Sequence, residues 1–180
     1  MKLGIDFDNT IINYSKIFKK VGVNHNLLTK SIKSGKNIIK NFFIHRNLES
    51  KWTELQGIVY GKEIYNADAY KNCKKILIKL NKNKIKKYIV SHKTLYPYIG
   101  EKINLHKSAS NWLRNNSFFE KEINFKKNEI FFKKTIKAKI EKIISLRCTH
   151  FIDDLKHVLD ILPDNIIKIH FNNLSNKKIY

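Results

Sequence analysis

The chain has 180 residues, enough for one domain with a small insertion. At 42% hydrophobic it can bury a sizeable core, which excludes the disordered class, and no apolar run approaches the length of a membrane span. Lysine and arginine number 36 against 15 aspartate and glutamate, a formal net charge of +21 that draws anionic partners of any kind.

That charge does not single out nucleic acid. Among the basic residues only Arg46, Arg114 and Arg147 are arginine. An excess of lysine, asparagine and isoleucine is what an AT-rich coding sequence gives without any ligand. Phosphate and base readers also favour arginine for its planar fork. Nucleic acid is therefore the less favoured partner, while an anionic small molecule such as a phosphate ester still feels the field. Cys73 and Cys148 stand in no CxxC or His/Cys cluster, so zinc is not expected. Two isolated thiols and a first segment that reads as a strand, without a signal-peptide layout, give the expectation of a cytoplasmic protein with no membrane partner.

In chain order, residues 2–6 read as a short buried strand ending at Asp6. Residues 7–10 form a polar loop and residues 11–20 resume with helical spacing. The stretch 23–66 mixes helical patterns such as Ile38, Ile39, Phe42 and Phe43 with polar breaks and shows no clear strand. Residues 67–82 predict a helix with Ala69, Tyr70, Cys73, Ile76, Leu77 and Leu80 on one face. Asn66 is its expected N-cap, and Asp68 suits the positive end of its dipole. A second strand covers 85–90 and ends in the polar tip Ser91-His92-Lys93-Thr94. A helix over 106–118 turns Ala109, Trp112 and Leu113 inward. A strand at 129–132 leads to a helix at 135–146 with Ile136, Ile140, Ile143 and Ile144 on one side. A fourth strand, 149–152, ends at Asp153-Asp154, and a helix runs from Leu155 to Leu162. Residues 166–171 make a fifth strand before a polar tail, 172–180, expected to fray. Strands alternating with helices imply right-handed crossovers and a Rossmann-like parallel sheet, an α/β fold covered by helices on both faces.

Three polar clusters then fall at the carboxyl ends of three predicted strands: Asp6/Asp8/Thr10, Ser91, and Asp153/Asp154. Ligands of open parallel sheets bind at that edge. Carboxylates there suit a hard divalent cation such as magnesium, which takes oxygen ligands. A phosphate ester repels nucleophiles, so a carboxylate that attacks it needs such a cation beside it. Asp6 can ligate the metal and attack phosphorus, giving a covalent intermediate. Asp8 can protonate the leaving alcohol and then activate water. Ser91 and a lysine can bind the equatorial oxygens.

These residues resemble the haloacid dehalogenase-like hydrolases. Asp6-Phe7-Asp8-Asn9-Thr10 after a hydrophobic strand is similar to that family's DxDxT motif. Ser91 after Tyr88-Ile89-Val90 is similar to its second, and Phe151-Ile152-Asp153-Asp154 to its paired acidic motif. The resemblance implies one such hydrolase domain over 1–180, with 12–66 as a small, mostly helical cap insertion. It assigns Asp6 and Asp8 to catalysis, Thr10, Ser91 and a lysine to the substrate phosphate, and Asp6, Asp8, Asp153 and Asp154 to magnesium. The lysine competes among Lys133, Lys134, Lys137 and Lys139. Lys139 is favoured because family members often carry apolar residues four and seven positions on, as Ile143 and Leu146 are. The second aspartate, absent from dehalogenases of the family, implies dephosphorylation or phosphomutase chemistry. Ser91-His92-Lys93-Thr94, Phe131-Phe132-Lys133-Lys134-Thr135 and Phe151-Ile152-Asp153-Asp154-Leu155 look like a subgroup of small hydrolases, which names no substrate.

The expected activity is magnesium-dependent hydrolysis of a small phosphate monoester, a sugar phosphate or a nucleotide. The alternatives are a phosphatase acting on nucleic-acid ends, and a catalytically silent binding protein on the same fold. Trp52, Tyr60 and Tyr65 can stack on a sugar or base, although such aromatics more often pack. His92 and Lys93 either reach the substrate or form a solvated loop tip. His150, just before a buried strand, reads as a satisfied neighbour and not a ligand.

Overall fold

The computed structural model describes residues 1–172. The tail expectation falls, beyond Asn172, outside the described residues. The elements are β1 (Lys2–Ile5), β2 (Ile12–Asn13), α1 (Ile17–Asn24), α2 (Lys36–Ile44), α3 (Glu49–Tyr60), β3 (Asp68–Ala69), α4 (Cys73–Lys82) and β4 (Lys86–His92). They continue with α5 (Leu105–Asn115), β5 (Ile130–Lys133), α6 (Ile136–Ser145), β6 (His150–Asp153), α7 (Lys156–Asp160) and β7 (Ile167–His170).

Five strands form one sheet in the order β5-β4-β1-β6-β7, every neighbouring pair parallel. Parallel neighbours need crossovers, and helices supply them. On one face Leu3, Ile5 and Ile89 pack with Leu77 of α4 and with Ala109, Trp112 and Leu113 of α5. On the other, Tyr88, Val90 and Phe151 pack with Ile140 and Ile143 of α6 and with Val158 and Leu159 of α7. This is the Rossmann-like α/β arrangement expected from the sequence. At Gly4 a Cβ would come within 2.5 Å of the Phe151 ring, so only glycine lets the central strand pass beneath that aromatic.

The stretch between β2 and β3 holds α1, α2 and α3, whose interior is aromatic. Phe18 stacks on Trp52 (5.0 Å), and Tyr14 meets both Phe18 and Tyr60 edge-on. Two local expectations fail at its borders. Ile11 and Ile12 do not open a helix. Ile12 pairs with Ala69 and Asn13 with Asp68, so an antiparallel ribbon joins the two ends of the stretch. The same ribbon consumes the start of the helix expected over 67–82. Asn72 turns the chain in the left-handed region (φ 66°), and α4 starts only at Cys73. Asn66 caps nothing: its amide donates to Glu63, and Asp68 lies in β3. Ile76, expected inward, is exposed, and Leu77 takes the buried position. Ribbon pairing joins residues more than fifty positions apart, beyond any local periodicity.

Candidate active site

Central β1 ends at Ile5, so Asp6 leaves the sheet at its carboxyl edge. The Asp6 backbone N–H still donates to the Ile152 carbonyl of β6 at 2.9 Å, which fixes where its side chain begins. The Phe7 carbonyl then accepts from the N–H groups of Thr10, Ile11 and Ile12. This tight turn needs left-handed backbone at Asn9 (φ 57°), which asparagine tolerates better than most residues.

Lys139 reaches this edge from α6. Its ammonium lies 2.5 Å from Asp6 Oδ1 and 2.6 Å from Asp153 Oδ2, with all three residues buried. Thr135 starts α6 by accepting from the Ala138 N–H, and one turn later Lys139 faces the sheet. Of the four competing lysines only Lys139 lines the site; Lys134 and Lys137 are exposed and Lys133 is half-buried at the end of β5. Lys139 also takes an inward place on α6, while Ile144, expected inside, is exposed.

Four carboxylates meet three lysines here. Burial, against the pull of Lys139 and with the push of Asp153 and Asp8, raises the Asp6 carboxyl to about 7. Burial and Asp153 raise Asp154 to about 6, with Lys36 opposing. Burial works against the Lys139 ammonium, but Asp6 and Asp153 outweigh it and raise its pKa. Carboxylate oxygens of Asp6, Asp153 and Asp154 lie within 4.8 Å of one another. Asp8 was expected among these ligands and is not in that group. Its carboxylate is held by Lys93, 2.8 Å from Oδ2 and 3.0 Å from Oδ1, and by the Tyr14 hydroxyl, which donates to Oδ1 at 2.8 Å.

A cavity of about 250 Å³ opens over these groups. Asp6, Asp8, Ser91, Lys139 and Asp154 line it from the sheet edge, and Lys36, Gln56 and Tyr60 from the opposite side. The Ser91 hydroxyl is buried and has no hydrogen-bond partner among the described residues. The Thr10 hydroxyl is likewise buried and unpartnered, but Thr10 does not line the cavity. Burial pushes both cysteine thiols up to about 11, and neither lines the cavity.

Two residues of the site, Tyr14 and Lys36, escaped the sequence, and Lys93 stood between two readings. Lys93 is buried and ion-paired, not a solvated tip; the one clue is its position two residues after Ser91, on the same side of the strand. Tyr14 and Lys36 carry no local signal. Lys36, the first residue of α2, lies with its ammonium 5.7 Å from the Tyr60 ring centre. Burial opposes that charge, but Tyr60 and the Asp8 and Asp154 carboxylates more than offset it. Of the aromatics read as stacking candidates, Trp52 is buried against Phe18, Tyr65 does not line the cavity, and Tyr60 does. His92 lines it from the rim, its ring nitrogen against the Lys134 carbonyl, and His150 pairs with Thr149.

Fold and site together define an open parallel α/β protein with an acidic centre at the carboxyl edge of its sheet. No family model matches the chain, and no curated protein matches it. A crystal structure of a Had-superfamily hydrolase from Ehrlichia chaffeensis is similar over 93% of this chain and 90% of that one, at 15% identity and a TM-score of 0.47. The chemistry proposed below rests on the side chains of this protein. Among the described residues, no helix is long and apolar enough to cross a membrane.

Proposed function

We propose that this protein is a magnesium-dependent phosphate monoester hydrolase that works through an aspartyl-phosphate on Asp6. The observation that carries the reading is the buried Asp6–Lys139–Asp153 bridge at the strand ends, facing a cavity with an unpartnered Ser91 hydroxyl. Residues 12–66 act as the cap that closes over it.

The donor set fits magnesium. Asp6, Asp153 and Asp154 offer only carboxylate oxygens, the ligands that hard cations take. Burial first, and the neighbouring carboxylates after it, raise Asp6 and Asp154, and a cation among these oxygens would favour their charged forms. When bound, the cation neutralises charge between the carboxylates and the phosphoryl oxygens.

The protein's own groups do the rest. An Asp6 oxygen bonds to phosphorus as the bond from phosphorus to the leaving oxygen breaks. Asp8, held by Lys93 and Tyr14 apart from Asp6, Asp153 and Asp154, acts in its protonated form, giving that proton to the leaving oxygen and becoming the carboxylate that Lys93 pairs with. It then takes a proton from water, which attacks phosphorus and frees Asp6 and inorganic phosphate. The Ser91 hydroxyl and the Lys139 ammonium donate to the equatorial oxygens as charge spreads over them.

A chromogenic ester such as p-nitrophenyl phosphate, assayed with magnesium, tests this. Asp6→Asn should lower kcat by about 10³-fold or more. Asp8→Asn should slow turnover about 10²-fold. Equal inertness of wild type and Asp6→Asn across a broad ester panel would refute an enzyme and leave a binding protein on this fold. The +21 charge favours one second reading, a phosphorylated nucleic-acid end as substrate, whose mark is a steep loss of oligonucleotide binding with salt.

A further inference from the structure

Resting on the phosphohydrolase reading of the same site, we infer that the cavity selects a compact, non-aromatic phosphate monoester bearing a second anionic group, a carboxylate held by Lys36.

Size is the first constraint. The cavity is about 250 Å³, below the roughly 300–1,000 Å³ usual for ligand pockets. Its wall is closed by a tight contact: a side chain on Gly57 of α3 would come within 2.9 Å of the Ile99 carbonyl and of Pro97. Helix and loop therefore touch backbone to backbone, leaving no gap there for a bulky leaving group.

The second constraint is the lack of a free ring inside. Tyr60 is the aromatic next to the acidic centre, and its surroundings are taken. Lys93 lies 4.8 Å from its ring centre and Lys36 5.7 Å, while Tyr14 and Phe18 meet it at 4.9 and 5.7 Å. Four groups already crowd the ring that a nucleobase would need to stack on. Tyr98, largely exposed at the rim, is the remaining aromatic of the lining.

Charge is the third. Lys139 is committed to Asp6 and Asp153, and Lys93 to Asp8. Lys36 lines the same cavity from the cap side and makes no carboxylate ion pair within 4 Å among the described residues. The Gln56 side chain, also in the lining, makes no hydrogen bond among them either. A half-buried ammonium whose near partner is the Tyr60 side chain, in a lining that also holds an unused amide, suits a carboxylate, which only accepts hydrogen bonds.

The test measures kcat and KM of the 180-residue chain with magnesium on a matched pair, 3-phosphoglycerate and glycerol 3-phosphate. AMP, a 5′-phosphorylated oligonucleotide and p-nitrophenyl phosphate complete the set. The acid ester should exceed its neutral partner in kcat/KM by about tenfold, the worth of one charge-assisted contact. Lys36→Gln should bring that ratio to about one by raising KM for the acid ester, and Lys36→Arg should restore part of it. A wild-type ratio near one overturns the inference and needs no variant, so it stands even where Lys36→Gln fails to fold. Equal losses for both esters in Lys36→Gln would assign Lys36 to the phosphoryl group and overturn it too, as would preference for AMP or the oligonucleotide. Failure of the folded wild type to cleave p-nitrophenyl phosphate or any ester would remove the parent reading with it. Cleavage without the acid preference removes the inference alone.

Discussion

Asp6 is pulled two ways. Burial favours its neutral form, while the proposed attack on phosphorus and the proposed metal binding both need the carboxylate. Its folded pKa, about 7, lies above the ordinary value of 3.8. The native state therefore holds this proton over a pH window in which the unfolded chain has lost it, so the group's contribution to stability is greatest below about 4 and fades as pH rises through 7. In chelator, Asp6→Asn should thus melt above the wild type by a margin that widens from pH 4 to 7 and then levels off. Denaturation followed across that range checks it, and a constant margin would contradict the raised value. In the proposed site the same protons would compete with magnesium. Its apparent affinity should rise between about pH 6 and 7, where Asp154 and Asp6 lose them, with proton release on binding measurable by calorimetry in two buffers. At this scale Asp6, Ser91 and Asp153 were legible because each ends a hydrophobic strand. Lys36 was not, and Lys93 stood between the site and a solvated tip, because a lysine among so many carries no information until its partner is known.

Helix α6 shows how an element is bent to the site's needs. Apolar spacing alone puts Ile136, Ile140, Ile143 and Ile144 inward, yet Lys139 is buried and Ile144 exposed. The helix is rotated so that one ammonium reaches two carboxylates, a cost that a buried, doubly paired charge can offset. Helix α3 contributes through an absence of side chain. Gly57→Ala should force α3 away from the loop at 97–99, cost about 1–3 kcal/mol as overpacking, and raise KM more than it lowers kcat. Denaturant melts and steady-state kinetics check both parts. A variant as stable as wild type with unchanged KM would mean that this contact does not shape the cavity. The helices and parallel strands were readable as periodicities of 3.6 and of short apolar runs. The β2–β3 ribbon was not, since its two-residue strands have no period to read.

Across the whole molecule, positive charge surrounds an acidic centre. The net +21 should speed encounter with a dianionic ester and be screened by salt, so kcat/KM should fall as ionic strength rises, mainly through KM. Steady-state kinetics from low to physiological salt test this, and a flat profile would show that the surface charge plays no part in capture. The sequence by itself determined the order of the five sheet strands and the helices that join them from residue 73 on, hence a parallel sheet, and the strand ends that carry Asp6, Ser91 and Asp153. Those follow from local patterns and from the rule that parallel strands share one carboxyl edge. Only the tertiary structure decided which lysine bridges Asp6 and Asp153, that Asp8 is held by Lys93 and Tyr14 outside the Asp6/Asp153/Asp154 group, and that Lys36 faces the cavity. Each of these depends on groups far apart in the chain meeting in a buried place, where the energy of a charge is set by its neighbours and not by its sequence.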